Sequence, residues 1–219
     1  MSRPHRLVLV AGTATDIGKT WVGGAVLARL RTIGVTVAAR KPAQSAEADD
    51  PGPSDAAVLA QATGEPVDDV CPSHRSYTVA MAPPMAAEAL GLPVPTLAEL
   101  LAEVTWPDGP ARDVGWVETV GGPRSPIGSD GDAVALAEAL EPDLVVLVAD
   151  AGLGTVNSVR LGVDVLARWP VTVFLNRFDP DDDLHRRNLD WLRTRERLEV
   201  VVDLEALSNR VASGPATWS

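Results

Sequence analysis

The stretch that most restricts the fold of this chain is Arg6 to Thr20. It runs Leu7-Val8-Leu9-Val10-Ala11 and then Gly12-Thr13-Ala14-Thr15-Asp16-Ile17-Gly18-Lys19-Thr20. A short apolar, β-branched run, a glycine-containing loop and a helix-compatible continuation describe a strand, a phosphate cradle and a helix start. The first backbone N–H groups of a helix have no intrahelical partner and lie at the positive end of its dipole, so they suit an anion. Gly18 allows close backbone approach, Lys19 adds a mobile cation and the Thr20 hydroxyl can ligate Mg2+. The generic loop has a glycine five residues before its second one; here that position is Thr13, and Gly12 stands one residue earlier.

With 219 residues the chain fits one α/β domain with a full core. The net charge of -11 argues against duplex nucleic acid and anionic membrane surfaces as partners. A nucleotide must then be captured by local positive groups. Cys71 is the only cysteine, which excludes an intrachain disulfide and a multi-cysteine metal site. The N-terminal apolar run is too short for a secretory core, and no segment reaches the roughly 18 apolar residues of a membrane span, so a cytoplasmic location is expected. Of 19 Lys and Arg residues only Lys19 and Lys41 are lysine. Arginine serves nearly everywhere else, which singles out these two positions for a compact ammonium.

Apolar residues at Val22, Val26, Leu30 and Ile33 predict a helix over 20–33, stopped at Gly34. Residues 35–39 read as a strand ending at Arg40-Lys41-Pro42. That puts Lys41 at the carboxyl edge of a sheet, where open α/β folds bind ligands. Residues 46–53 read as a surface loop, and Ser54 as the N-cap of a helix over 55–63 that ends before Gly64. Asp55, in its first turn, either compensates the helix dipole or ligates Mg2+. Residues 66–83 lack periodicity; 84–90 and 96–104 read as short helices. A third strand over 113–119 delivers Glu118 just before Gly121-Gly122, a plausible metal ligand beside a phosphate turn. Residues 132–140 read as a helix. The continuous apolar run over 143–150 predicts a buried parallel strand whose last residue, Asp150, competes with Glu118 for the metal role. A helix over 156–168, a strand over 171–175 ending at Asn176, an Arg-rich helix over 184–197 and a strand over 199–202 follow, with a loose tail from Ser208. The Asn176 amide could pair with a base edge. Alternating strands and helices give a doubly wound, mainly parallel α/β sheet of the P-loop type, as one domain over 1–219.

Several separated segments resemble the dethiobiotin synthetase family. Gly12-Thr13-x-Thr15-Asp16-Ile17-Gly18-Lys19-Thr20 is similar to its modified P-loop, and Lys41-Pro42-x-x-Ser45 to its second motif. Ser54-Asp55-Ala56, Ala82-Pro83-x-x-Ala86-Ala87, Glu118-x-x-Gly121-Gly122, Gly152-Leu153-Gly154-Thr155-x-Asn157 and Asn176 occur in the family's order. The resemblance implies an ATP- and Mg2+-dependent ring closure. A diamino acid, 7,8-diaminononanoate, and CO2 give a carbamate; ATP phosphorylates it, and the second amine closes a cyclic urea.

By the same resemblance Lys19, Lys41 and Thr15 are catalytic. Thr13, Asp16, Ile17, Gly18, Lys19, Thr20 and Asn176 hold the nucleotide, and Thr20, Asp55 and Glu118 hold the metal. Ser45, Gly154, Thr155 and Asn157 hold the substrate, the last three across the interface of a homodimer. The chain departs from the family at Thr119-Val120, where Gly-Ala is usual, and at Pro84 and Ser158, where histidine is common. Two alternatives are a related ligase for another amine or carboxylate, and a nucleotide-switched partitioning protein. Ala14 stands where the latter class usually has a signature lysine.

Overall fold

Strands that are apolar along their whole length need cover on both faces, and the computed structural model, which describes residues 2–213, supplies it. β1 (Arg6–Gly12) leads into α1 (Lys19–Thr32). There follow β2 (Val37–Arg40), β3 (Gln44–Ser45), α2 (Asp55–Thr63), α3 (Val67–Val70), β4 (Ser76–Tyr77), α4 (Pro83–Ala89) and α5 (Leu97–Glu103). The middle of the chain forms β5 (Val114–Glu118), β6 (Pro126–Gly128), β7 (Gly131–Asp132) and α6 (Ala133–Leu140). The last part is β8 (Leu144–Asp150), α7 (Thr155–Leu166), β9 (Val171–Asn176), α8 (Asp183–Thr194), β10 (Glu199–Val201) and α9 (Leu204–Ala212).

The main sheet has the order β10-β9-β8-β1-β5-β2 and every pairing in it is parallel. Strand alternation sorts β1 between two cores. Val8 and Val10 pack with Val22, Val26 and Leu30 of α1, Leu59 of α2 and Leu207 of α9. Leu7, Leu9 and Ala11 pack on the opposite face with Leu100 of α5, Leu136 of α6 and Leu166 of α7. The doubly wound architecture expected from the sequence is the one observed. Register then places Val10 of β1 beside Glu118 of β5, so the phosphate loop and the acidic end of β5 leave the sheet side by side.

The β2 edge is closed by Glu65, which accepts from Ala39 N at 2.8 Å and pairs with Arg40 at 2.8 Å. That contact protects an exposed strand edge and fixes the residue before Lys41. The two-stranded pairs β3–β4 and β6–β7 are too short to leave a periodic signal in the sequence. The expected loose tail from Ser208 is corrected: α9 runs through Ala212, Asp203 caps it by accepting from Ala206 N, and Ser208 and Val211 are buried where α9 packs on α1. The remainder of that tail, residues 214–219, lies outside the described residues. No described helix is long and apolar enough to cross a membrane.

Candidate active site

The turn from β1 to α1 is built for close approach. A Cβ on Gly12 would sit 2.8 Å from Ala14 O and 2.8 Å from Ile17 Cγ2, so this position requires a glycine. Thr13 is instead tied to the sheet, its N–H donating to Val148 O at 2.9 Å. Gly18 takes φ 92°, the left-handed region that favours glycine. As N-cap of α1 it offers no side-chain acceptor, and the first turn holds no acidic residue, so its N–H groups and dipole face the cavity uncompensated.

The two lysines meet here. Lys41 is 2% exposed; its Nζ lies 2.7 Å from Asp55 Oδ2 and 2.7 Å from Glu118 Oε1 and donates to Thr119 O at 3.3 Å. Thr20 Oγ1 lies 2.7 Å from both Asp55 Oδ1 and Glu118 Oε1. Lys19 Nζ donates to Ala14 O at 3.4 Å and to Gly121 O at 3.3 Å, spanning the phosphate loop and the Gly121-Gly122 turn. Thr20, Lys41, Asp55 and Glu118, up to 98 positions apart, thus form one hydrogen-bonded group, with Lys19 held beside it by backbone carbonyls.

Charge follows from that packing. Burial opposes the Lys41 ammonium, but Glu118 and then Asp55 outweigh it and hold this lysine above its ordinary value. Burial also opposes ionisation of Asp55, and Lys41 again outweighs it, so the carboxyl sits below its usual range. Lys19 moves the other way: burial, and next the charge of Lys41, lower it. Two ammonium groups that repel one another, with one of them lacking a carboxylate partner, make a site that favours an added anion. Burial pushes the Cys71 thiol up to about 12, which leaves it an inert core group.

A cavity of about 850 Å³ opens over this group. Thr15, Asp16, Gly18, Lys19, Thr20, Lys41, Ser45 and Asp55 line it, and Glu118 lies fully buried beneath, so most of the residues singled out from sequence converge. Others lie elsewhere on the same sheet edge. Asn176 Nδ2 donates to Ile17 O at 2.9 Å and braces the phosphate loop from behind; a Cβ on Gly18 would collide with that amide. Gly154, Thr155 and Asn157, at the start of α7, are not part of the cavity lining. Asp150 is drawn away from the metal role: Oδ1 accepts from Gly152 N at 2.8 Å and Oδ2 lies 3.4 Å from Arg177.

Sequence reasoning missed several lining residues. Tyr77, Met81 and Pro83 form an apolar wall from the segment without periodicity, and Val120 and Ser125 come from the turn after β5. Gln44, also in the lining, accepts from Ala56 N at 2.9 Å and so aims α2, with its Asp55, at the cavity.

The arrangement joins phosphate-loop donors, two ammonium groups and an oxygen-only donor set of Thr20, Asp55 and Glu118 to an apolar wall. Glu118 Oε2 is buried without a hydrogen-bond partner among the described residues, so the donor set has an acceptor to spare for a hard cation. Such a site can bind a nucleoside triphosphate and stabilise phosphoryl transfer to an anionic acceptor.

The AAA domain family matches this chain over residues 6–210. The chain is 37% identical over 222 residues to the ATP-dependent dethiobiotin synthetase BioD of Rhodococcus jostii (strain RHA1), covering 97% of this chain and 94% of that protein. It is 38% identical over 184 residues to the ATP-dependent dethiobiotin synthetase BioD of Anaeromyxobacter sp. (strain K), covering 81% and 79%. Among solved structures it is similar to a plasmid partition protein from Borrelia burgdorferi, with a TM-score of 0.54 over 96% of this chain and 97% of that one. At 12% identity that likeness concerns the fold alone. With identity of this degree running through almost the entire sequence, the chain belongs to the AAA domain family and, within it, to the ATP-dependent dethiobiotin synthetases.

Proposed function

We propose that this protein catalyses ATP-dependent closure of 7,8-diaminononanoate and CO2 to dethiobiotin, in biotin biosynthesis. The observation that carries the reading is the meeting of Lys41, Asp55, Glu118 and the phosphate-loop Thr20 within 2.7 Å contacts beside Lys19. An amine of the substrate adds to CO2 to give a carbamate anion. A carbamate oxygen then takes the γ-phosphoryl group from ATP, releasing ADP. The second amine attacks the carbamate carbon, and phosphate leaves as the cyclic urea closes.

The first transfer brings two anions together, so positive groups must be in place beforehand. Lys19 and the first N–H groups of α1 bind the phosphates, with Thr13, Asp16 and Ile17 shaping the loop around them. Lys41 balances the charge on the carbamate and on the moving phosphoryl group. Thr15 and Ser45 orient the acceptor, and Tyr77, Met81 and Val120 exclude water along its hydrocarbon chain. The Thr20 hydroxyl, Asp55 and Glu118 fit Mg2+, being oxygen donors with one carboxylate oxygen unpaired. When bound, Mg2+ would offset phosphate charge. Asn176 sits at the nucleotide end and braces the loop.

Gly154, Thr155 and Asn157 hold the substrate carboxylate from a second subunit of a homodimer. The uncapped start of α7, with Gly154 as its N-cap, supports that assignment. A cytoplasmic enzyme accords with the substrates.

Purified protein given the diamine, ¹³C-bicarbonate and MgATP should form ¹³C-labelled cyclic urea and ADP in equal amounts. ATP consumption with no labelled urea would refute the substrate assignment. Val120 in the wall favours a second reading, a related ligase for another amine or carboxylate, and a panel of amines scored by ADP release separates the two.

A further inference from the structure

An ammonium has three N–H donors, and Lys41 commits all three to the wall: Asp55 Oδ2 at 2.7 Å, Glu118 Oε1 at 2.7 Å and Thr119 O at 3.3 Å. A residue that must contact a carbamate has no proton left for it in this arrangement. Glu118 Oε1 holds both Lys41 and Thr20, the second Asp55 oxygen, Oδ1, is taken by Thr20, and Glu118 Oε2 is buried and unpaired among the described residues. A carboxylate pair shared in this way can serve one neighbouring cation well. Two cations in contact with the same oxygens would repel strongly at this depth.

We propose that Asp55 and Glu118 are positioning residues for Lys41 as well as metal ligands: they carry its ammonium as an internal cation and surrender those oxygens to a divalent metal. Metal binding is then what turns Lys41 toward the acceptor. The inference rests on the reading of this carboxylate pair as the metal site. Its consequence is order: the cation that balances the charge of the acceptor and the moving phosphoryl group is presented only once metal is in place, which restrains ATP turnover without it.

Because the chain has only two lysines, lysine labelled with ¹³C and ¹⁵N at the side-chain terminus gives two signals, assigned through the Lys41→Met variant. On titration of the wild-type protein with MgCl2 and a nonhydrolysable ATP analogue, the Lys41 signal should shift and its ammonium protons should exchange faster with water. Separately, the affinity for Mn2+, read by electron paramagnetic resonance, should rise about tenfold or more in Lys41→Met. Lys19→Met removes the same charge from the neighbourhood without freeing these oxygens, so its gain should be several-fold smaller. An unmoved Lys41 signal at saturating metal, or equal gains in the two variants, overturns the inference and leaves the metal site standing. No Mn2+ binding by any form of the protein overturns the metal site itself.

Discussion

Two parts of the same sheet edge behave differently. Around β2, β5 and the phosphate loop, each functional side chain is held by another: Lys41 by Asp55 and Glu118, Thr20 by the same two, Lys19 by the glycine turn. Around the start of α7, Gly154 takes φ 90° with no capping side chain, and the Thr155 hydroxyl is buried without a partner among the described residues. The first region is chemically complete within one chain. In the second, the Thr155 hydroxyl has no partner among the described residues, although its N–H donates to Gly152 O at 3.4 Å. On the proposed reading, charge-bearing chemistry is prepared in advance, the uncharged length of the substrate is left to the apolar wall, and its carboxylate to the far loop.

This contrast can be broken most forcefully at Glu118. Glu118→Gln keeps the shape but leaves Lys41 without its buried carboxylate, so kcat/KM for dethiobiotin formation should fall about 100- to 1000-fold. Urea denaturation should show a stability loss of about 3 kcal/mol. Retention of both would mean that the first region is not pre-assembled. Gly18→Ala comes next: a left-handed backbone and the collision with Asn176 should cost about 2 kcal/mol, seen as a lower melting temperature, with weaker ATP binding. In the second region, Thr155→Val should leave stability within about 1 kcal/mol, because the hydroxyl has no partner to lose. It should nonetheless raise KM for the diamine about tenfold while ATP affinity is unchanged. An unmoved KM would remove Thr155 from the substrate site.

The smallest effect is on acid stability. Asp55 is held below its ordinary carboxyl value in the folded protein, so its contribution is fully present above the unfolded-state value of 3.8 and is lost as pH falls through the lower folded value. Urea midpoints measured from pH 5 to pH 2 should fall less steeply in Asp55→Asn than in wild type.

How much of this was legible in the sequence depends on whether a residue's role is local. The phosphate loop, the buried run of β8, and Ser54 and Gly64 at the ends of α2 follow from short-range rules, and the structure has Ser54 accepting from Ala57 N and Gly64 at φ 77°. Lys41 was found by its rarity and its place before Pro42. Tyr77 and Met81 leave no such signal, because a cavity wall drawn from irregular segments has no period, whereas Val120 stands out as a departure from the family's Gly-Ala. Asp150 and Asn176 end neighbouring strands in register, yet their roles hinge on Arg177 and on the Ile17 carbonyl, partners that only the tertiary fold brings near. For α9 the sequence does carry a local signal, Asp203 as N-cap and Leu207 with Val211 one helical turn apart.

The central claim, that two ammonium groups far apart in sequence act on one phosphoryl transfer, is tested most directly by single-turnover kinetics of Lys41→Ala with saturating diamine, bicarbonate and MgATP. The account predicts a rate of carbamate phosphorylation about 1000-fold below wild type with ATP affinity nearly retained. A rate equal to wild type would contradict it.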